Sequence, residues 1–194
     1  KVKNKMNKKE RTATAEEHYN FINTVQVETE KSITNTKIFK INVEVPPPKY
    51  EPKYEQTEIQ VDESPLLTTT LNECYNNEFV TILNVASATN PCGGWLKGGA
   101  GQEESLASAT TLYLPLQQSA SKMYKLNEDD PKNGYYQDLA VYSPDVLVVK
   151  NIDGELLEKQ PSVSVISVPA VNTGRVLEHA KKKRLNIPST KKTI

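Results

Sequence analysis

The stretch from Asn84 to Leu106, NVASATNPCGGWLKGGAGQEESL, decides the reading of this chain. It follows an apolar run, Phe79 to Leu83, that reads as a buried strand. It then holds five of the chain's eight glycines: Gly93, Gly94, Gly98, Gly99 and Gly101. Glycine reaches positive φ at little cost and lets backbone N–H groups approach a ligand closely. A run of such groups forms an anion-binding concavity. The loop ends in Gln102-Glu103-Glu104, and Ser105 to Ala109 continues as a helix. The order is strand, glycine loop, two adjacent carboxylates, helix. Phosphate binding beside an acid/base group is the chemistry this order suits.

A glycine loop by itself is a weak signal, because such segments are commonly flexible surface loops. No Gly-Lys-Ser/Thr follows, so this is not a Walker A motif, and the GxGxxG spacing of a dinucleotide site is absent. The adjacent carboxylates add weight. Like charges at a loop–helix junction repel, so at least one of the pair is expected to have a raised pKa. A carboxyl group protonated near neutral pH is what a general acid requires.

Pro91-Cys92-Gly93-Gly94, seven further residues, then Gln102-Glu103-Glu104 resembles the signature of the poly(ADP-ribose) glycohydrolases. That signature is a glycine triplet, a short spacer and Gln-Glu-Glu. The wider segment, LNVASATNP through QEESL to TLY, is similar to the microbial-type branch. So, in order, are Val141 to Val146 and Val165 to Ala170. Cys92 stands where the family's first glycine would be. The resemblance implies hydrolysis of the ribose–ribose O-glycosidic bonds of poly(ADP-ribose), with release of ADP-ribose. It implies Glu104 as the acid that protonates the leaving oxygen and then the base that activates water. It implies Glu103 as the holder of the ribose hydroxyls, Asn90 as a ribose contact, and Gly93 and Gly94 as amide donors to the diphosphate. Gln102 and Trp95 complete the candidate ligand-binding set, Gln102 as an orienter of the loop and Trp95 through core packing beneath it. The substrates implied are poly(ADP-ribose) and ADP-ribosylated proteins; no cofactor and no metal is implied. A second reading stays open: an ADP-ribose-binding reader macrodomain without turnover. A third, a structural protein that kept the core alone, sits poorly with an intact carboxylate pair.

Length and composition set outer bounds. At 194 residues the chain is one domain or slightly more. Lys and Arg total 24, as do Asp and Glu, so no global basic field points to nucleic acid. The basic runs at 1–11 and 181–192 read as solvated tails. Two cysteines, Cys74 and Cys92, make no disulfide framework. An intracellular reducing compartment, cytoplasm or nucleus, a monomer and no membrane association are expected. His18 and His179 stand alone, and no Cys/His cluster offers a metal site. Cys92 could serve as a nucleophile only with a partner base, and none is evident.

Taken in order, 11–25 carries Ala15, Tyr19, Ile22 and Val25 at helical spacing. Strands are expected over 34–45 and 57–61, with an extended Pro-rich connector between them. Ser64 and Pro65 open a helix through Tyr75, with Pro65 in its first turn. The helix after Glu104 is expected to run to Tyr113, where Pro115 interrupts it, with a short helix over 119–126. Residues 127–134 read as a loop, 139–142 and 146–149 as two strands, and 151–154 as a turn. Val163 to Val168 reads as a central strand, and 172–185 as a helix with a basic end. Strands interleaved with helices give an α/β domain. The resemblance makes it macrodomain-like, a mixed sheet flanked by helices. Residues 1–62 are expected as a helical and extended N-terminal extension packing on a core over 63–194. The family's second glycine loop, near its C-terminus, is not found before Ile194. The chain is therefore expected to be either a truncated form or one with an incomplete site.

Overall fold

The computed structural model describes residues 6–40, 56–77, 79–129 and 134–183. Helices α1 (Lys8–Thr24) and α2 (Gln26–Asn35) lead into strand β1 (Lys37–Lys40). Helix α3 (Leu66–Asn76) and strand β2 (Thr81–Ala86) follow. After the glycine loop come α4 (Gln102–Ala109), α5 (Tyr113–Ser119) and α6 (Ser121–Glu128). Strands β3 (Leu139–Leu147) and β4 (Ser162–Pro169) and helix α7 (Thr173–Lys182) complete the order. Among the described residues no helix is long and apolar enough to cross a membrane.

The four strands form one sheet in the order β1-β3-β4-β2. β1 and β4 each lie antiparallel to β3, while β2 runs parallel to β4. The expected central strand is β4, whose Val163 and Val165 lie in the core between both neighbours. The core is built by these valines, by Val141 and Val146 of β3, and by Ile22, Leu106 and Leu116 from α1, α4 and α5. Strand β1, from the segment expected as an extension, pairs with β3 inside this same sheet.

Several expectations are corrected. No strand forms over 57–61: Ile59 and Val61 are 84% and 94% exposed, and nothing pairs with them among the described residues. Alternation without a partner strand does not make a sheet. The run from Phe79 is not buried throughout. Strand β2 starts at Thr81 and alternates, with Ile82, Asn84 and Ala86 inward and Leu83 and Val85 outward. The two strands expected over 139–149 are one strand, β3, bulged between Ser143 and Val146. Pro144 has no N–H for a ladder and Asp145 has φ 55°, so the bulge falls there. The QEE helix ends at Ala109, earlier than expected, because Thr110 is extended and bridges to Val148. Pro115 lies inside the first turn of α5, where its missing N–H costs little. Pro65 caps α3 from just outside, and no Ser64 side-chain cap forms. Of the strand expected over 34–45, only 37–40 is strand among the described residues, since 34–35 close α2. Residues 41–45 and the Pro-rich connector lie outside them.

Candidate functional site

The site lies at the C-terminal ends of the parallel strands β2 and β4, the usual position for a ligand cleft in an open α/β sheet. A cleft of about 640 Å³ opens there between the end of β2, the glycine loop and the first turn of α4. Asn90, Gly93, Gly94, Gln102, Glu103 and Glu104 all line it. Ser87, Lys97 and Tyr113 line it too.

The two carboxylates have different surroundings. Glu103 is 4% exposed. Its Oε2 accepts the Ser87 amide hydrogen at 2.7 Å, and its Oε1 accepts from Asn84 Nδ2 at 3.2 Å. Asn84 also donates to Ser167 Oγ at 3.0 Å, since the parallel register sets the two residues side by side. Burial raises the Glu103 carboxyl to about pH 7; the bonds from Ser87 and Asn84 oppose this, and the Glu104 charge adds a smaller push. At least one of the two carboxyls was expected to be raised; Glu103 is, and desolvation outranks repulsion as the cause.

Glu104 is the third residue of α4 and reaches back to the backbone of the N-cap residue, Gly101. Its Oε2 accepts from Gly101 N at 2.9 Å. Its Oε1 accepts from Gly94 N, also at 2.9 Å. The loop passes directly over both carboxylates. A Cβ on Gly93, which has φ 59°, would lie 2.6 Å from Glu104 Oε1 and 2.9 Å from Glu103 Oε2. Only glycine fits that position.

The loop is gripped from behind by α1. Arg11 Nε donates to Gly98 O at 2.9 Å. Gly98 has φ 72°, and its missing Cβ leaves room for Lys8 O, which a Cβ would meet at 2.5 Å. Trp95 is 2% exposed and packs edge-on against His18 and tilted against Tyr113. Burial, with a smaller contribution from Lys150, lowers His18 to about 4. That neutral imidazole contacts Thr110 O through Nε2 at 3.0 Å.

Among the sequence candidates, Asn90 stands exposed at the rim, with its Nδ2 donating to Thr89 Oγ1. Trp95 is core beneath the loop and offers no face to the cleft. Gln102 turns to β2: its Oε1 accepts from Val85 N at 2.9 Å and its Nε2 donates to Leu83 O at 2.7 Å. The amides expected for a diphosphate are engaged within the loop, Gly93 N with Asn90 O and Gly94 N with Glu104. Cys92 has φ 56° and a fully buried thiol, pushed well up by burial and then by the two carboxylates. Its side chain points into the core, not toward a phosphate position, and the left-handed φ is one that glycine holds easily. His179 lies on α7, away from the cleft lining. Sequence reasoning missed Asn84 and Ser167, polar residues inside strands, and Tyr113, which read as a helix end. A polar residue at an inward position of an alternating strand was the available signal for Asn84. Among the described residues no group of three metal-ligating side chains gathers.

The fold is similar to that of poly(ADP-ribose) glycohydrolase from Thermomonospora curvata. The TM-score is 0.72 at 22% identity, over 90% of this chain and 76% of that one. The same bacterium's enzyme bound to the inhibitor ADP-HPD gives 0.71 at 23% identity, with the same coverage. The Deinococcus radiodurans enzyme in complex with ADP-ribose gives 0.65 at 24% identity, over 79% of this chain and 62% of that one. No curated protein sequence matches. The family model described as the microbial-type PARG catalytic domain matches residues 4–151, which take in the glycine loop, both carboxylates and β3. The chain thus belongs to the microbial-type PARG catalytic-domain family, the glycosidases that hydrolyse poly(ADP-ribose).

Proposed function

We propose that this chain cleaves the ribose–ribose bond of poly(ADP-ribose) through Glu104, with Glu103 and Asn90 placing the sugar. The observation that carries the reading is the pair of carboxylates in the first turn of α4, roofed by a glycine that leaves no space for a side chain. Glu104 gives its proton to the leaving ribose oxygen as the bond to the anomeric carbon breaks. The oxocarbenium-like centre then takes water, whose proton returns to Glu104. One residue serves as acid and base, with the substrate's own phosphate assisting.

Glu103 is buried and holds the sugar hydroxyls from a fixed position. Asn90 meets the ribose at the rim, and the Lys97 side chain, exposed in the cleft lining, faces the diphosphate. The Gly94 amide reaches the diphosphate only by exchanging its bond to Glu104 for the ligand. Gln102 and Trp95 act on the loop and not on the ligand. The protein works as a monomer in a reducing intracellular compartment, with Cys74 and Cys92 as free thiols.

The test is incubation with automodified polymerase, following free ADP-ribose, beside calorimetric titration with ADP-ribose. Release of ADP-ribose supports hydrolysis by this site. Tight binding without release replaces it with the reader function, and neither result refutes both.

A further inference from the structure

Asn127 is 2% exposed and lines no part of the cleft. It stands in the last turn of α6, at a position that reads from sequence as the start of a loop. Both ends of its side-chain amide are used. Its Nδ2 donates to Ala88 O at 3.1 Å, and its Oδ1 accepts from Gln137 N at 2.8 Å. Met123 and Tyr124 of the same helix lie in the hydrophobic core, so α6 is a rigid support for the amide it carries.

The segment that Asn127 holds is the one that places the sugar-binding groups. Residues 87–90 join β2 to the glycine loop without regular structure. The Ser87 amide donates to Glu103 Oε2 at 2.7 Å, and Ser87 Oγ accepts from Asn90 N at 3.2 Å. Asn90 O then accepts from Gly93 N at 3.0 Å, where the glycine loop begins. Ala88 sits between these contacts, buried, with its carbonyl past the end of the β2 ladder. A buried carbonyl needs a donor, and a single methyl group gives the segment little burial to anchor it. Asn127 supplies the donor from a different element, 39 residues away in sequence.

We propose that Asn127 is a positioning residue for the sugar, acting through Ala88 and Ser87 on Glu103 and Asn90. The inference rests on Glu103 and Asn90 as the groups that hold the ribose. With Ala88 O fixed, the Ser87 amide stays on the Glu103 carboxylate and the Ser87 hydroxyl keeps Asn90 at the rim. One clamp therefore sets two sugar contacts that come from opposite sides of the glycine loop. The proton donor is held separately: Glu104 is bound by Gly94 and Gly101, outside this segment. Loss of the clamp thus weakens the hold on the ribose and leaves the acid in place.

The experiment uses the full chain, with polymer turnover for kcat and KM and calorimetric titration with ADP-ribose for Kd. Asn127→Asp keeps an oxygen for the Gln137 amide and sets a second oxygen against Ala88 O, so it breaks one arm alone. Asn127→Leu breaks both arms without burying a charge. Each variant should raise KM and the ADP-ribose Kd by about five- to tenfold, with kcat falling much less than KM rises. Variants that act through a shared group do not add. Asn127→Asp combined with Asn90→Ala should therefore cost less than the product of the two separate losses. Unchanged KM and Kd, a loss confined to kcat, or full multiplication of the two losses overturns the positioning role and leaves hydrolysis by Glu104 standing. A wild-type chain that binds ADP-ribose without releasing it removes hydrolysis, and the Kd values still decide the clamp. A wild-type chain that does neither overturns both. Should both Asn127 variants fail to fold, Ser87→Ala decides: it keeps the amide on Glu103 and removes only the hold on Asn90, and an unchanged Kd there breaks the chain of contacts.

Discussion

Glu103→Gln should change how stability depends on pH, and the size of the change follows from burial. The native carboxyl sits near 7 and its ordinary value is 4.5. Between those values the native state holds a proton that the unfolded chain has released. Wild-type stability from this group is therefore fully present below about 4.5 and falls as pH rises through 7. From pH 5 to pH 8 the loss is about 2 to 3 kcal/mol by proton linkage. The amide titrates nowhere in this range, so the variant lacks that slope. The assay is urea unfolding of both proteins at several pH values from 5 to 8. Structural costs of the substitution shift the variant's whole curve and cancel when the two slopes are compared. Those costs are small if Asn84 turns its amide over. Its Oδ1, which has no partner in the present orientation, then accepts from the new side chain. Relative to wild type, the variant should gain about 2 to 3 kcal/mol across the range. A pH-independent difference, or a relative loss toward pH 8, would refute a desolvated Glu103.

Further outcomes are expected. Glu104→Gln should lower polymer turnover by about a hundred- to ten-thousandfold, read by ADP-ribose release; near wild-type turnover rules Glu104 out as the acid. Because both Glu104 oxygens accept amide hydrogens, the same variant should also lose about 1 kcal/mol or more of stability in urea unfolding, its NH₂ facing an amide donor. Asn84→Ala should raise the Glu103 pKa further and cost about 1 to 3 kcal/mol, seen as a later titration in the Glu103 stability slope; an unmoved slope excludes the contact. Cys92→Gly relieves a left-handed φ worth about 1 kcal/mol and loses a buried thiol of similar worth. Its urea midpoint and turnover should therefore lie close to wild type, and loss of turnover with the fold intact would give the thiol a direct chemical role.

What the sequence made legible was local. The glycine run announced a loop that only small residues can build. The Gln-Glu-Glu start of α4 and the β-branched run of β4 were readable from composition and order. What it hid was non-local. Asn84 and Ser167 are distant in sequence and meet because β2 and β4 are parallel and in a particular register. His18 reads as a lone histidine until α1 lies against Trp95 and Thr110. Ile59 and Val61 alternate as a strand does, yet pairing needs a partner that the alternation does not supply. The bulge at Pro144 and Asp145 divided in sequence what is one strand in space. The division near residue 62 marks a change in composition, but α1 and β1 before it hold the loop and extend the sheet.

The order Gln-Glu-Glu has a geometric reason. Successive helical residues point about 100° apart, so three in a row reach three different neighbours. Gln102 takes both hydrogen bonds to the unpaired edge of β2. Glu103 turns inward to Asn84 and Ser87. Glu104 turns to the glycine loop and binds it at Gly94 and Gly101. One helical turn thus ties together the sheet edge, the buried polar cluster and the loop, and it does so at the helix N-terminus, where negative charge is favoured. An insertion of a single residue would rotate each side chain onto the wrong neighbour. The spacer between Gly94 and Gln102 is held as well, since a Cβ on Gly98, Gly99 or Gly101 would lie within 3 Å of Lys8 O or of the Glu104 carboxylate. The contiguous triplet cannot vary in order without losing one of the three attachments.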